Sequence, residues 1–200
     1  MDDYILLDMS KVSTPLPKLD QILDGGFEDG SSVLILADLV VDKVKFGANL
    51  LSKRIEEGDQ GLYFIDNKIP KYAKEYIRNY KEEKGKISFI DGFSSTIDKK
   101  SKEDYVLESK ISEDKSEYIE ESKETILNAI EKKSGYGTTF IFDSLDSWVG
   151  YWDELEDFMS DVNSSMQDNN TVGYFLLPNL GFEESENAEE FEKLKSMFDY

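Results

Sequence analysis

The chain has 200 residues, 43 acidic against 23 basic, for a formal charge of −20, and it contains neither cysteine nor histidine. Disulfides, zinc–thiolate sites and thiol nucleophiles are excluded, and the commonest general base and metal ligand is missing. The length suits one domain with a full core over 1–200, and the acidic field repels phosphate backbones and anionic headgroups, so no nucleic-acid partner is expected.

In chain order, Met1-Asp2-Asp3 is acidic where a signal peptide is basic, and Tyr4–Leu7 is a short apolar stretch. No apolar run approaches the roughly eighteen residues of a membrane span, so a soluble cytoplasmic chain without a membrane partner is expected. Ser13 to Gly30 reads as a turn, one or two helical turns ending at Gly25-Gly26, and a second turn. Ser32–Leu36 is a continuous apolar strand. Lys43–Glu57 is an amphipathic helix with Phe46, Leu50 and Ile55 near one face, stopped by Gly58. Gly61–Ile65 is the next strand, Pro70 opens a helix to about Glu83, and Ile87–Ile90 is a third strand. From about 96 to 121 the sequence is polar and charged, relieved only by Tyr105-Val-Leu107, and predicts an exposed excursion. A long helix from about Ser116 to Lys133, a strand Thr138–Phe142 ending at Asp143 and a helix from Asp153 to about Asp168 follow. Strand Val172–Leu177 is stopped by Pro178, and the acidic stretch Phe182–Glu192 reads as a loop entering a last short helix. Apolar strands alternating with amphipathic helices predict an α/β fold, a mostly parallel sheet with helices on both faces.

The window Val33 to Leu51 carries a vestige of chemistry. A nucleotide-binding P-loop follows a buried strand with Gly-x4-Gly-Lys-Ser/Thr, because backbone N–H groups wrap the phosphates, the lysine reaches them and the hydroxyl holds magnesium. The same spacing here gives Ala37, Asp42, Lys43 and Val44, so only the lysine is kept. The β-branched Val40 and Val41 resist the positive φ that glycines adopt freely. Asp42 sets a negative charge where a polyanion would sit; like charges about 4 Å apart repel by roughly 1 kcal/mol in water and about 4 in a partly desolvated site. Val44 offers no oxygen to magnesium. Taken alone, the window reads more readily as an ordinary strand, loop and helix with a solvated lysine than as a P-loop.

Its flanks add specificity. Ser13-Thr, then Leu19-Asp, Leu23, Gly25-Gly26-Phe27 and Gly30, resembles the segment leading into the P-loop strand of KaiC-like ATPases of the RecA superfamily, archaeal type. The register holds without a gap through the loop. Gly58-Asp-Gln-Gly-Leu-Tyr-Phe64 is similar to the turn and strand after the P-loop helix of that family, and Phe140-Ile-Phe-Asp-Ser-Leu-Asp-Ser147 to its Walker B strand. Three ordered motifs spanning nearly the whole chain imply a RecA-like P-loop NTPase core. In active relatives the strand after the P-loop helix leads to a glutamate pair that acts on the attacking water; this chain has Asn67 and Lys68 there, neither able to accept that proton. Asp143 matches the Walker B aspartate, although a carboxylate closing a strand and capping the next turn reads the same way. Family members usually carry more strand after the equivalent of Met197–Tyr200, which implies a shortened C-terminal edge.

Trp148, Tyr151 and Trp152, just beyond that strand, offer either a partner-docking surface or packing beneath the next helix. Asp153, Glu154, Glu156 and Asp157 point around a helix axis and read as a solvated face, so no metal site is expected. With Lys43 and Asp143 as a vestigial nucleotide site, the resemblance implies a pseudo-ATPase without catalytic residues or cofactor. Such a domain acts as a regulatory or protein-binding module whose partner is a protein such as an active KaiC-like paralogue. The alternatives are a weak nucleotide sensor or an ATPase completed by a partner subunit, and a recombinase-like accessory protein that the charge disfavours. The acidity also fits a halophilic cytoplasm. If self-repulsion at −20 is what salt relieves, the melting temperature rises between low salt and molar potassium chloride, whereas a flat profile would leave the acidity as a matter of solubility.

Overall fold

An apolar strand without polar alternation must be covered on both faces, and the segments between such strands here are amphipathic enough to do the covering. The computed structural model describes residues 11–14, 16–97, 99–111, 113–143, 145–179, 181 and 188–200. Its strands are β1 (Lys11–Val12), β2 (Phe27–Glu28), β3 (Ser32–Ala37), β4 (Gln60–Ile65), β5 (Ile87–Asp91), β6 (Tyr105–Val106), β7 (Thr138–Phe142) and β8 (Thr171–Pro178). The helices are α1 (Pro17–Ile22), α2 (Lys43–Glu56), α3 (Pro70–Lys74), α4 (Tyr80–Glu83), α5 (Lys115–Glu131), α6 (Trp152–Asp168) and α7 (Ala188–Lys195). Six strands form one sheet in the order β3-β8-β7-β4-β5-β6, every pairing parallel.

Alternation along the central strands splits the core in two. Tyr63 and Ile65 of β4 face α2 and α3 with Ile141 and Phe89, while Leu62 and Phe64 face α5, α6 and α7 with Phe140, Phe142 and Phe175. The apolar stripes are at helical spacing: Tyr118, Ile119, Ile126 and Ile130 on α5, and Leu155, Phe158, Met159, Val162 and Met166 on α6. Helix α2 lies especially close to the sheet. A Cβ on Gly47 would sit 2.8 Å from Ile141 Cγ2 and 3.0 Å from the Tyr63 hydroxyl, so the first turns of α2 have no slack against β4 and β7.

Four expectations need revision or fall away. The helix opened by Pro70 does not continue to Glu83: it ends at Lys74, Asn79 adopts a left-handed φ of 52°, and α4 restarts at Tyr80. The break buries Ile77 and lets the Arg78 N–H donate to Ser52 Oγ on α2 at 3.0 Å. The charged excursion is not wholly exposed, because Tyr105–Val106 adds the sixth strand alongside β5 and Leu107 is completely buried. The turn-rich segment before β3 hides a two-stranded antiparallel ribbon, Val12 opposite Phe27. Tyr4–Leu7 and positions 182–187 of the acidic stretch lie outside the described residues. At the edge, β3 pairs with β8 on one side and meets the last residues on the other: Tyr200 N–H donates to Ser32 O at 3.4 Å and Leu34 N–H to Tyr200 O at 2.9 Å. No helix among the described residues is long and apolar enough to cross a membrane.

Trp148 takes the packing alternative, being fully buried against Phe64, Phe142 and Phe158 with ring centroids 5.9, 4.9 and 4.7 Å away. Trp148→Ala therefore costs about 3–5 kcal/mol in denaturant unfolding. At roughly 2–4 °C per kcal/mol, that lowers the melting temperature by about 10 °C. Tyr151→Ala, at a ring 37 % exposed, costs under about 0.5 kcal/mol.

Candidate functional site

Because the sheet is parallel, the carboxyl ends of β3, β4, β5 and β7 open on the same side, where open α/β folds bind ligands. Residues 38–42 carry the chain from β3 into α2 there. None of them adopts positive φ, as the valines require; instead the loop presents Leu39 and Val40 to solvent, 68 and 92 % exposed. Ala37 closes β3, its carbonyl accepting from the Asn179 N–H at 2.7 Å.

Asp42 is the N-cap of α2. Its carboxylate accepts from the Lys45 N–H at 3.1 Å and from the Tyr72 hydroxyl at 2.7 Å, and Lys68 Nζ stands 3.8 Å away. Burial alone would raise this carboxyl; the Tyr72 and backbone hydrogen bonds and the Lys68 charge outweigh it and hold the group below its ordinary value. Lys68 also lies over the Tyr72 ring at 4.1 Å, and Tyr76 donates to Tyr72 at 3.3 Å, so the anion at the helix terminus is held by a small aromatic–cation cluster. Neighbouring Asn67 is exposed.

Lys43, the first residue of α2, is ion-paired with Asp146 in the 3-10 turn Leu145–Trp148 after β7. Val44 is buried in the core between α2 and the sheet. Asp143, also fully buried, accepts from the Tyr63 hydroxyl at 2.9 Å; the same hydroxyl lies 3.2 Å from Val44 O, tying the ends of β7 and β4 to the first turn of α2. Burial, and then Asp143, push the Tyr63 phenol well above its usual range, so it stays a donor. Asp66, following β4, accepts from the Ser147 hydroxyl at 2.7 Å and from Trp148 Nε1 at 3.3 Å. Lys115 lies over the Tyr151 ring at 4.9 Å, its amine lowered by burial against the opposing pull of Asp66 and Asp146. Trp152 is half-buried at the start of α6.

The structure thus gathers Lys43, Asp143, Asp42 and Val44 around one helix terminus and leaves Tyr151 and Trp152 at the periphery. Sequence reasoning missed Tyr63, Tyr72 and Asp146, the partners that engage these groups. Asp146 stands three residues after Asp143 in plain view, but nothing local ties it to Lys43. The acids after Trp152 are engaged separately: Glu154 accepts from Ser116, Glu156 pairs with Lys193, and Asp157 pairs with Lys123 at 2.6 Å. Among the described residues no three acids are placed to hold a metal.

No family model matches the chain. Over 106 residues it is 26 % identical to the UPF0273 protein MK0039 of Methanopyrus kandleri, a match covering 50 % of this chain and 42 % of that relative's length. Among solved structures it is similar to the KaiC-like protein PH0186 from the hyperthermophilic archaeon Pyrococcus horikoshii OT3. The TM-score is 0.63 at 16 % identity, over 92 % of this chain and 77 % of that one.

The cap at Asp42 carries a pH signature. With its carboxyl held low in the folded chain, its ionised form adds stability in full above the ordinary value of 3.8, and the addition is lost as pH falls below that through the folded value. Asp42→Ala is therefore less stable than the parent by about 1 kcal/mol at pH 7, and the gap narrows below about pH 4. Paired urea titrations across that range measure it; a gap independent of pH would mean that the carboxylate charge contributes nothing.

Proposed function

We propose that this chain, whose fold is KaiC-like and RecA-type, is a pseudo-ATPase: a catalytically degenerate domain that serves as a regulatory or protein-binding module. The observation that carries the reading is that the charged groups around the α2 terminus are engaged by side chains of the chain itself. The terminus of a P-loop helix meets phosphate through free backbone N–H groups and its dipole. Here a carboxylate of the same chain takes that contact, and it repels a second anion.

Magnesium–ATP does not fit these residues. Lys43 is turned to Asp146, Val44 has no oxygen and is buried in the core, and Asp143 receives the Tyr63 proton donor. The positions of the glutamate pair hold Asn67 and Lys68, and Lys68 stands beside Asp42 rather than facing a water to activate. The substitutions support one another: acid in the loop, base after β4. The proposal accordingly includes no cofactor and no catalytic residue. It sets the chain in the cytoplasm with a protein partner, an active KaiC-like paralogue being the one the resemblance suggests, and the −20 charge argues against nucleic acid.

Titration calorimetry with millimolar ATP and magnesium tests the reading. The unmodified chain gives no binding heat and no hydrolysis above blank. Restoring the loop with Ala37→Gly, Val40→Gly, Asp42→Gly and Val44→Thr recovers binding only when Asp146→Ala also frees Lys43, and hydrolysis still requires Asn67→Glu or Lys68→Glu, because such groups act as a unit. Tight ATP binding by the unmodified chain would overturn the proposal in favour of a nucleotide sensor.

A further inference from the structure

Two hollows of about 340 and 330 Å³ share Leu16, Phe46 and Leu50 in their lining and so adjoin as a groove between α1 and α2. One end is apolar. Leu19, Leu23 and Val33 line it, and Tyr200 closes it, its ring 4.8 Å from that of Phe27. The other end is lined by Lys53 and Arg78. Leu16 and Leu36, which also line it, are each more than 40 % exposed, apolar surface whose burial is favourable.

Arg78 is the telling residue. It is one of two arginines in a chain with 43 acids. The other, Arg54, is paired with Glu57 at 2.5 Å and Asp59 at 2.9 Å, and Lys53 with Glu57 at 3.1 Å. Arg78 has no carboxylate partner among the described residues, and its backbone is fixed: its main-chain N–H donates to Ser52 Oγ of α2, and it precedes the left-handed Asn79 that breaks the helix. A guanidinium at the rim of an apolar groove offers a planar fork matched to a carboxylate. In so acidic a chain a second copy is disfavoured by repulsion between two charges of −20.

We infer that this groove is the docking surface for an apolar segment of a partner protein that carries a carboxylate at one end, with the carboxylate on Arg78 and the apolar side chains along Phe46, Leu50 and Leu16. The inference rests on the reading of the chain as a protein-binding module and names the surface that such a module uses. It does not involve the α2 terminus.

The test uses the full chain and two synthetic peptides of about twelve residues, alike in a leucine stripe at helical spacing, one ending in two glutamates and the other in two lysines. Anisotropy titrations at about 0.5 M potassium chloride suppress long-range attraction to the acidic protein and leave contacts at short range. The affinity ratio, glutamate-ended over lysine-ended, falls at least about fivefold in Arg78→Glu, the size of a rim ion pair lost and reversed. It stays unchanged in Lys84→Glu, an exposed site of equal charge change outside the groove. Leu16→Glu weakens both peptides. Absence of binding by either peptide, or a ratio that Arg78→Glu does not move, would overturn the assignment. So would a dimer in sedimentation that Leu16→Glu dissolves, since the groove would then belong to a second copy. None of these outcomes bears on ATP calorimetry, so failure here and failure of the pseudo-ATPase reading are told apart.

Discussion

The first turn of an α-helix leaves backbone N–H groups without partners inside the helix, and at the carboxyl edge of a parallel sheet those groups point into the one place where such folds do chemistry. In this chain the negative charge that answers them is covalently attached, at Asp42, and much of the surrounding arrangement follows from that attachment. A carboxylate there needs donors, and Tyr72 is near enough only because α3 follows β4 closely. It tolerates a base on its outer side, and Lys68 stands there. The loop is built from Leu39, Val40 and Val41 without a left-handed residue.

The same logic runs one layer deeper. Asp143 lies at the end of a central strand with no exposure at all, and a carboxylate in such surroundings is costly unless hydrogen-bonded. Tyr63 supplies the bond from within the core, and the closeness of its hydroxyl to Gly47 and Val44 means that β4, β7 and α2 share it. The site is thus supported by packing on one side and by internal ion pairs on the other, with charge on Lys43 and Asp146 neutralised at the rim.

Sequence patterns made the framework legible to the extent that interactions are local. The apolar runs of β3, β4, β7 and β8 and the stripes of α2, α5 and α6 state their periods openly, whereas Lys43 and Asp143 are singled out only through the family resemblance. The break at Asn79 is not local, because burying Ile77 and reaching Ser52 depend on where α2 lies. Tyr105–Val106 is too short to announce itself and becomes a strand only because β5 offers an open edge. The least legible features are the partners: Lys43 and Asp146 are 103 positions apart, Tyr63 and Asp143 are 80, and Tyr72 and Asp42 are 30. Topology alone shows what engages Lys43, Asp143 and Asp42.

The pairing of β3 with β8 bears on how the chain acquires its shape. Their register sets Ser32 beside Gly173 and Ala37 beside Pro178, so the strand that leads into the loop is laid into the sheet by an element far downstream of it in the chain. Contacts so distant in sequence must wait for the loop between them to close, which is entropically slow. Domains also tend to assemble as units during synthesis. Until β8 emerges, β3 has no neighbour on either side: Asp199 and Tyr200, which bond along its other side, come later still. The apolar strand β3 therefore waits unpaired while β4 to β7 are synthesised. Repulsion between chains of such acidity opposes the pairing of unfinished strands with one another.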